Sequence, residues 1–144
     1  LGYVPEDRRL FTGLTVQENL LIAARFGPAA AGAASHTTLR AQQDHVLHLF
    51  PALQGMLARK AAHMSGGEQQ MLSIARTLMT GPSLLLLDEP CEGIAPVLVE
   101  SIRDALLQLK GEGMPMLVAE QNAILASRAD RVITLVAGQI AQPV

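Results

Sequence analysis

Leu84-Leu85-Leu86-Leu87-Asp88-Glu89-Pro90 is the stretch on which the fold turns. Leucine favours helix, but this run is bounded by Pro82 and Pro90 and is too short for one. A fully buried parallel strand is the better reading. The strand ends on two adjacent carboxylates, Asp88 and Glu89. In an open α/β sheet, ligands sit beyond the carboxyl ends of the strands. Paired carboxylates there are costly without a cation or a proton to offset them. Two readings stand: an acidic turn after a core strand, or a seat for magnesium carried by nucleotide phosphates. In the second, Asp88 holds the ion through water, while Glu89 points the other way and polarises an attacking water.

Downstream, Pro96 opens a helix that Gly111 ends, with Leu98, Ile102, Ala105, Leu106 and Leu109 on one face. Met114–Ala119 is a second buried apolar run, the next parallel strand. Asn122 caps a short helix to about Arg128, and Val132–Val136 with Ile140 form a hairpin around Ala137-Gly138. Upstream, Met64-Ser65-Gly66-Gly67-Glu68-Gln69-Gln70 starts a helix to about Thr80, striped by Met71, Ile74 and Leu78. Ser65 and Glu68 have the spacing of a capping box. That leaves Gly66 and Gly67 unexplained, since each glycine costs a helix up to about 1 kcal/mol relative to alanine. They make sense where something approaches the backbone closely, and a helix N-terminus with free N–H groups suits a phosphate.

The rest of the first half is mainly helical. Leu1–Val4 reads as the end of a strand closed by Pro5, and Glu6–Arg9 as a charged loop. Thr15 and Glu18 form a second capping box opening a helix to about Phe26. Gly27–Ser35 is a low-complexity joint, read as a mobile loop. Leu39, Val46, Leu49 and Phe50 share the face of a helix that Pro51 ends, and Met56 and Leu57 anchor the polar segment that follows.

Composition narrows the function. Net charge is −2 with no basic run, and aromatics are few with no Trp, so neither phosphate tracking nor base stacking on nucleic acid has support. The one cysteine, Cys91, excludes an intrachain disulfide. It reads as a small packed residue rather than a nucleophile, with no histidine adjacent in sequence. No apolar stretch approaches the ~18–20 residues that span a bilayer. His45 and His48 lie on one helix without a third ligand near them. Arg8 and Arg9 are most simply a solvated turn; the alternative is that they face a partner.

Taken together, Ser65–Gln70 followed by Leu84–Glu89 resembles the signature and Walker B pair of ATP-binding cassette (ABC) ATPases. The resemblance spans nearly the whole chain. Pro5–Leu20 is similar to the Q-loop and the start of the helical subdomain, Cys91–Pro96 to the D-loop, and Leu117–Asn122 to the switch strand and loop. Ala129–Val132 through Gly138–Ile140 resembles the closing strands. Gly2–Glu6, Arg8–Phe11, Gly67–Met71, Gly93–Pro96 and Val118–Ala123 look like the LivF-type ATPase of branched-chain amino-acid importers. Urea and short-chain amide importers use very similar ATPases.

The resemblance implies an α/β fold: a P-loop NTPase (RecA-like) core fragment with a mainly parallel sheet, plus an ABC α-helical subdomain. Residues 1–12 would end a core strand and carry the Q-loop. Residues 13–80 would be the helical subdomain with the signature, and 81–144 the C-terminal part of the core. It implies ATP and Mg2+ as cofactors and Glu89 and Gln121 as catalytic. Ser65, Gly66, Gly67 and Glu68 would face the ATP of a partner subunit, with Glu6 at the nucleotide and Asp88 and Glu6 near the metal, partly through water. Partners would be a second ABC ATPase subunit, head to tail, and membrane permease subunits. The place would be the cytoplasmic face of the membrane. Glu6 stands where many members have Gln, and Gln121 where many have His; both are usual in the LivF-like branch. A Gln amide can donate to a phosphate but carries no charge. Cys91 and Glu92 fit the D-loop less well. No Gly-x-x-x-x-Gly-Lys-Ser/Thr loop occurs in the 144 residues. The family places it upstream, so the chain is expected to be truncated and inactive alone. A rival reading is a soluble ABC ATPase of translation or DNA repair.

Overall fold

The computed structural model describes residues 1–26, 36–121 and 123–141. The joint at 27–35 and the Asn122 cap lie outside the described residues. Three strands form a parallel sheet in the order β1 (Gly2–Val4), β2 (Leu85–Asp88), β3 (Met116–Ala119). The register pairs Gly2 with Leu85 and Leu85 with Met116, and ends with Asp88 beside Ala119.

Between β1 and β2 lie the first four α-helices of the described residues. α1 (Val16–Ala24) starts at the Thr15–Glu18 capping box: the Glu18 N–H donates to Thr15 Oγ1 at 3.2 Å and the Thr15 N–H to Glu18 Oε2 at 2.8 Å. α2 (His36–Leu49) is followed by α3 (Pro51–Gln54), so Pro51 both stops one helix and opens the next. A short 3₁₀ turn at Ala61–His63 leads into α4 (Gly66–Leu78). α5 (Pro96–Gly111) crosses from β2 to β3. α6 (Ala123–Ala126) and a two-stranded hairpin, β4 (Leu135–Val136) and β5 (Gln139–Ile140), complete the chain. The hairpin turns through Ala137 and Gly138, both at positive φ (49° and 78°), the geometry of a tight two-residue turn.

One apolar cluster joins Met71, Ile74 and Leu78 of α4, Ile102, Leu106 and Leu109 of α5, Leu20 and Phe50, and Val4, Leu85 and Leu87 of the sheet. Met56 and Leu57 pack against its margin. Two expectations need correction here. The leucine strand is not buried throughout: Leu85 and Leu87 are inside, Leu86 is half-buried and Leu84 exposed. Met114–Ala119 is not a buried run either, with Leu117 66% exposed. Side chains alternate across a pleated sheet, and the described helices cover only the face carrying Gly2, Val4, Leu85 and Leu87. Tyr3, Leu86, Asp88 and Leu117 belong to the other face, and β3 is an edge strand.

Candidate functional site

Asp88 is the last residue of β2, and Tyr3 of neighbouring β1 donates its hydroxyl to Asp88 Oδ2 at 3.1 Å. That hydrogen bond is the main reason the Tyr3 phenol is pushed above its ordinary pKa. At Glu89 the backbone leaves the strand at φ 45°, a left-handed conformation rare for a non-glycine residue. The Glu89 N–H still donates to Ala119 O at 2.9 Å, which holds the residue at the strand end. Its carboxylate turns to the loop after β3, where Gln121 Nε2 donates to Glu89 Oε1 at 3.1 Å. Asp88 and Glu89 therefore engage opposite neighbours of β2. The sheet brings together Glu89 and Gln121, which stand 32 residues apart in sequence.

Glu120 closes the same corner. Its Oε2 accepts the Cys91 N–H at 3.0 Å and its Oε1 the Gln121 N–H at 2.9 Å. Burial first, then the Glu120 charge, pushes the Cys91 thiol up to about 12, so it stays protonated and is no nucleophile. The Glu92 carboxyl is raised above its ordinary value, chiefly by the negative charge of Glu6, with Glu89 and Glu120 adding to it. Glu6, Glu89, Glu92 and Glu120 thus converge on one acidic end.

Among the described residues no three His, Cys, Asp or Glu side chains are grouped so as to hold a metal by themselves. The donors suit magnesium nonetheless. That ion takes one or two carboxylates and fills its shell with water and phosphate oxygens. The mutual repulsion recorded at Glu92 is what a cation here would relieve. Of the two carboxylates expected at the metal, Glu6 is among those crowding Glu92, and Asp88 ends β2 with its hydrogen bond from Tyr3.

The glycine-rich turn lies at the start of α4. The Ser65 N–H donates to Glu68 Oε2 at 2.7 Å and the Glu68 N–H to Ser65 Oγ at 3.4 Å, so the capping box is formed. The close approach expected at the glycines is split between them. Gly67 is buried, and a Cβ there would strike Leu98 Cδ1 and stand 3.0 Å from Ile94 Cγ2 and 3.1 Å from Leu98 Cβ. What packs against Gly67 is the chain's own Ile94 and Leu98, so packing is by itself a sufficient reason for a glycine at that residue. Gly66 is exposed, and a Cβ there would meet only the Arg8 guanidinium, at 3.5 Å. The phosphate argument therefore rests on Gly66 and on the orphan N–H groups that begin any helix.

The structure does not join Ser65–Glu68 to Asp88, Glu89 or Gln121 by any hydrogen bond or ion pair among the described residues. Arg8 departs from the solvated turn expected of it. It is half-buried, with Nε donating to Gln70 Oε1 at 3.1 Å, while Arg9 stays exposed and pairs with Asp7 at 3.1 Å. Sequence reasoning also missed Tyr3, Glu120 and Asn19. Fully buried, Asn19 ties Phe11 to α1 by accepting the Phe11 N–H at 3.1 Å and donating to Phe11 O at 3.0 Å. His45 meets Glu112 at 2.9 Å. A cavity of about 340 Å³ beside this pair is lined by none of the expected site residues.

Comparison with known proteins follows the same lines. Residues 1–92 match the family model for the ABC transporter. Over 141 residues, 97% of the chain, it is 44% identical to the high-affinity branched-chain amino acid transport ATP-binding protein BraG of Pseudomonas aeruginosa. It is 35% identical over 143 residues, 98% of the chain, to the probable branched-chain amino acid transport ATP-binding protein LivF of Archaeoglobus fulgidus. The chain spans 58% of the length of each of these relatives. The dimeric structure of MJ0796, a bacterial ABC transporter cassette, superposes with a TM-score of 0.84 at 26% identity, covering 99% of this chain and 61% of that one.

Proposed function

Since the chain belongs to the ABC transporter family, we propose that it is the ATP-hydrolysing subunit of an importer for branched-chain amino acids. The names of those two relatives support this choice of solute. The observation that carries the chemistry is the Gln121–Glu89 hydrogen bond at the carboxyl end of the sheet. Bound Mg–ATP would supply the phosphoryl group and a cation that neutralises its charge. Around it, Glu89 orients the attacking water and takes up its proton, and Gln121 Nε2 fixes the carboxylate while it does so. As a neutral amide, Gln121 serves as donor and positioner rather than as acid or base. Asp88, steadied by Tyr3, and Glu6 hold the magnesium side.

No hydrogen bond or ion pair joins Ser65–Glu68 to Glu89 among the described residues, and in a head-to-tail pair of subunits the two would serve different ATP sites. In such a pair, the N–H groups at the start of α4 close on the γ-phosphate held by the partner. Residues 1–12 carry the loop at the nucleotide, 13–80 the helical subdomain that meets the permease, and 81–144 the catalytic carboxylates. Among the described residues no helix is long and apolar enough to cross a membrane. The subunit would instead sit peripherally on the cytoplasmic face, against the permease. The test is ATP turnover by the full-length protein with and without Glu89→Gln, together with copurification of the permease. A hundredfold fall in turnover is expected; normal turnover by Glu89→Gln overturns the assignment.

A further inference from the structure

The loop before α1 is fastened to α4 in an unusual way. Arg8 and Arg9 are consecutive non-glycine residues at positive φ, 59° and 43°. Such a pair persists only where the surroundings impose it. Here α4 does so: Ser73 Oγ donates to Arg8 O at 3.0 Å, and Arg76 donates to Arg9 O at 2.8 Å and to Arg8 O at 3.4 Å. The left-handed bend turns the Arg8 side chain back along α4. Its Nε reaches Gln70, which is 2% exposed, and its outer nitrogens lie 3.5 and 3.6 Å from where a Gly66 Cβ would stand.

Two features of this contact are costly in isolation. Gln70 Nε2 is buried without an acceptor among the described residues while its oxygen serves Arg8. The guanidinium also stands at the N-terminal end of a 13-residue helix, the end whose dipole repels a cation. Among the described residues it has no carboxylate partner, unlike Arg9, Arg59 and Arg103. A cation beside free helix N–H groups becomes favourable when an anion arrives between them.

We propose that Arg8 is a positioning residue for the phosphate-facing turn. Through its hydrogen bond to Gln70 it locks the start of α4 to the loop that carries Glu6, and, lying alongside Gly66, it adds positive charge where the partner's γ-phosphate would meet Ser65–Gly67. This rests on the functional reading above. The loop that senses one nucleotide and the turn that closes on the other then move as one body.

The experiment uses the full-length protein. It measures ATP-driven subunit association, ATP turnover, and nucleotide affinity of the separate subunit for wild type, Arg8→Ala, Arg8→Lys, Gln70→Leu and the Arg8→Ala/Gln70→Leu pair. Arg8→Ala should raise the ATP concentration for half-association about tenfold, equivalent to about 1.4 kcal/mol. It should leave the affinity of the separate subunit for nucleotide unchanged. Arg8→Lys keeps the charge without the fork and should recover only part of the loss. The double variant should be no worse than Arg8→Ala. Wild-type association by Arg8→Ala, full recovery by Arg8→Lys, or additive losses in the double variant would each overturn the proposal. So would an equal loss of nucleotide affinity by the separate subunit, which marks a merely structural role. A wild type that neither associates nor hydrolyses ATP refutes the functional reading itself.

Discussion

Substituting the two glycines of the Ser65–Gln70 turn by alanine should separate stability from activity in opposite ways. Gly→Ala in a helix gains up to about 1 kcal/mol from backbone entropy. At Gly66 nothing opposes that gain, because the new Cβ would meet only the Arg8 guanidinium at an ordinary contact distance of 3.5 Å. Gly66→Ala should therefore raise stability by about 0.5–1 kcal/mol. At Gly67 the Cβ would strike Leu98 and stand 3.0 Å from Ile94 Cγ2. Overpacking of this kind costs about 1–3 kcal/mol. Leu98 can yield only at its tip, so Gly67→Ala should be destabilised by about 1 kcal/mol net, the overpacking outweighing the helix gain. Urea unfolding of the full-length protein, at unchanged m-value, measures both. The functional arm runs differently. If a phosphate approaches the N–H groups at Gly66, a methyl there obstructs it, and turnover should fall about tenfold in a protein that is more stable than wild type, a barrier increase of about 1.4 kcal/mol. A less stable Gly66→Ala, or a fully active one, would refute the assignment of Gly66 to ligand approach. A Gly67→Ala as stable as wild type would refute the assignment of Gly67 to packing against α5.

Further outcomes follow from single contacts. Gln121→Ala removes the donor to Glu89 and should lower turnover about tenfold with little change in ATP affinity, read as a kcat effect at constant KM. Asn19→Ala removes the acceptor of the Phe11 N–H, while Phe11 O keeps the Leu14 N–H as donor, and should cost about 1–2 kcal/mol in chemical denaturation. The Cys91 thiol, raised to about 12 by burial and Glu120, should resist alkylation up to about pH 10 in the folded protein. It should react at ordinary thiol rates once unfolded, followed by mass spectrometry.

What was legible in the sequence was local. Both capping boxes lie within four residues and form as read, at Thr15–Glu18 and Ser65–Glu68. Pro82, Pro90 and Pro96 frame the strand and the crossing helix because proline excludes interior positions of both. Burial of the strands was not legible. Leu84–Leu87 and Met114–Ala119 read as continuous apolar runs, yet which of their faces is covered depends on where distant helices pack. The reason for Gly67 was hidden likewise, since Ile94 and Leu98 reach it only through the tertiary fold. At the acidic end, the residue types of Asp88, Glu89 and Gln121 could be named from sequence. Their partners, Tyr3 across the sheet and Gln121 for Glu89, appear only once β1, β2 and β3 are in register. Arg8 was misread because the hydrogen bonds that bend it come from Ser73 and Arg76, some 65 residues away in sequence.

The most direct test of the shared ATP site is the mass of the full-length Glu89→Gln protein in sedimentation velocity, with and without Mg–ATP, beside the same variant carrying Ser65→Arg. Glu89→Gln should associate in ATP and trap nucleotide at one ATP per subunit, and Ser65→Arg should abolish the association while each subunit still binds nucleotide. Persistence of separate subunits in ATP, or undiminished association with Ser65→Arg, would contradict a site completed by the Ser65–Gln70 turn of a neighbour.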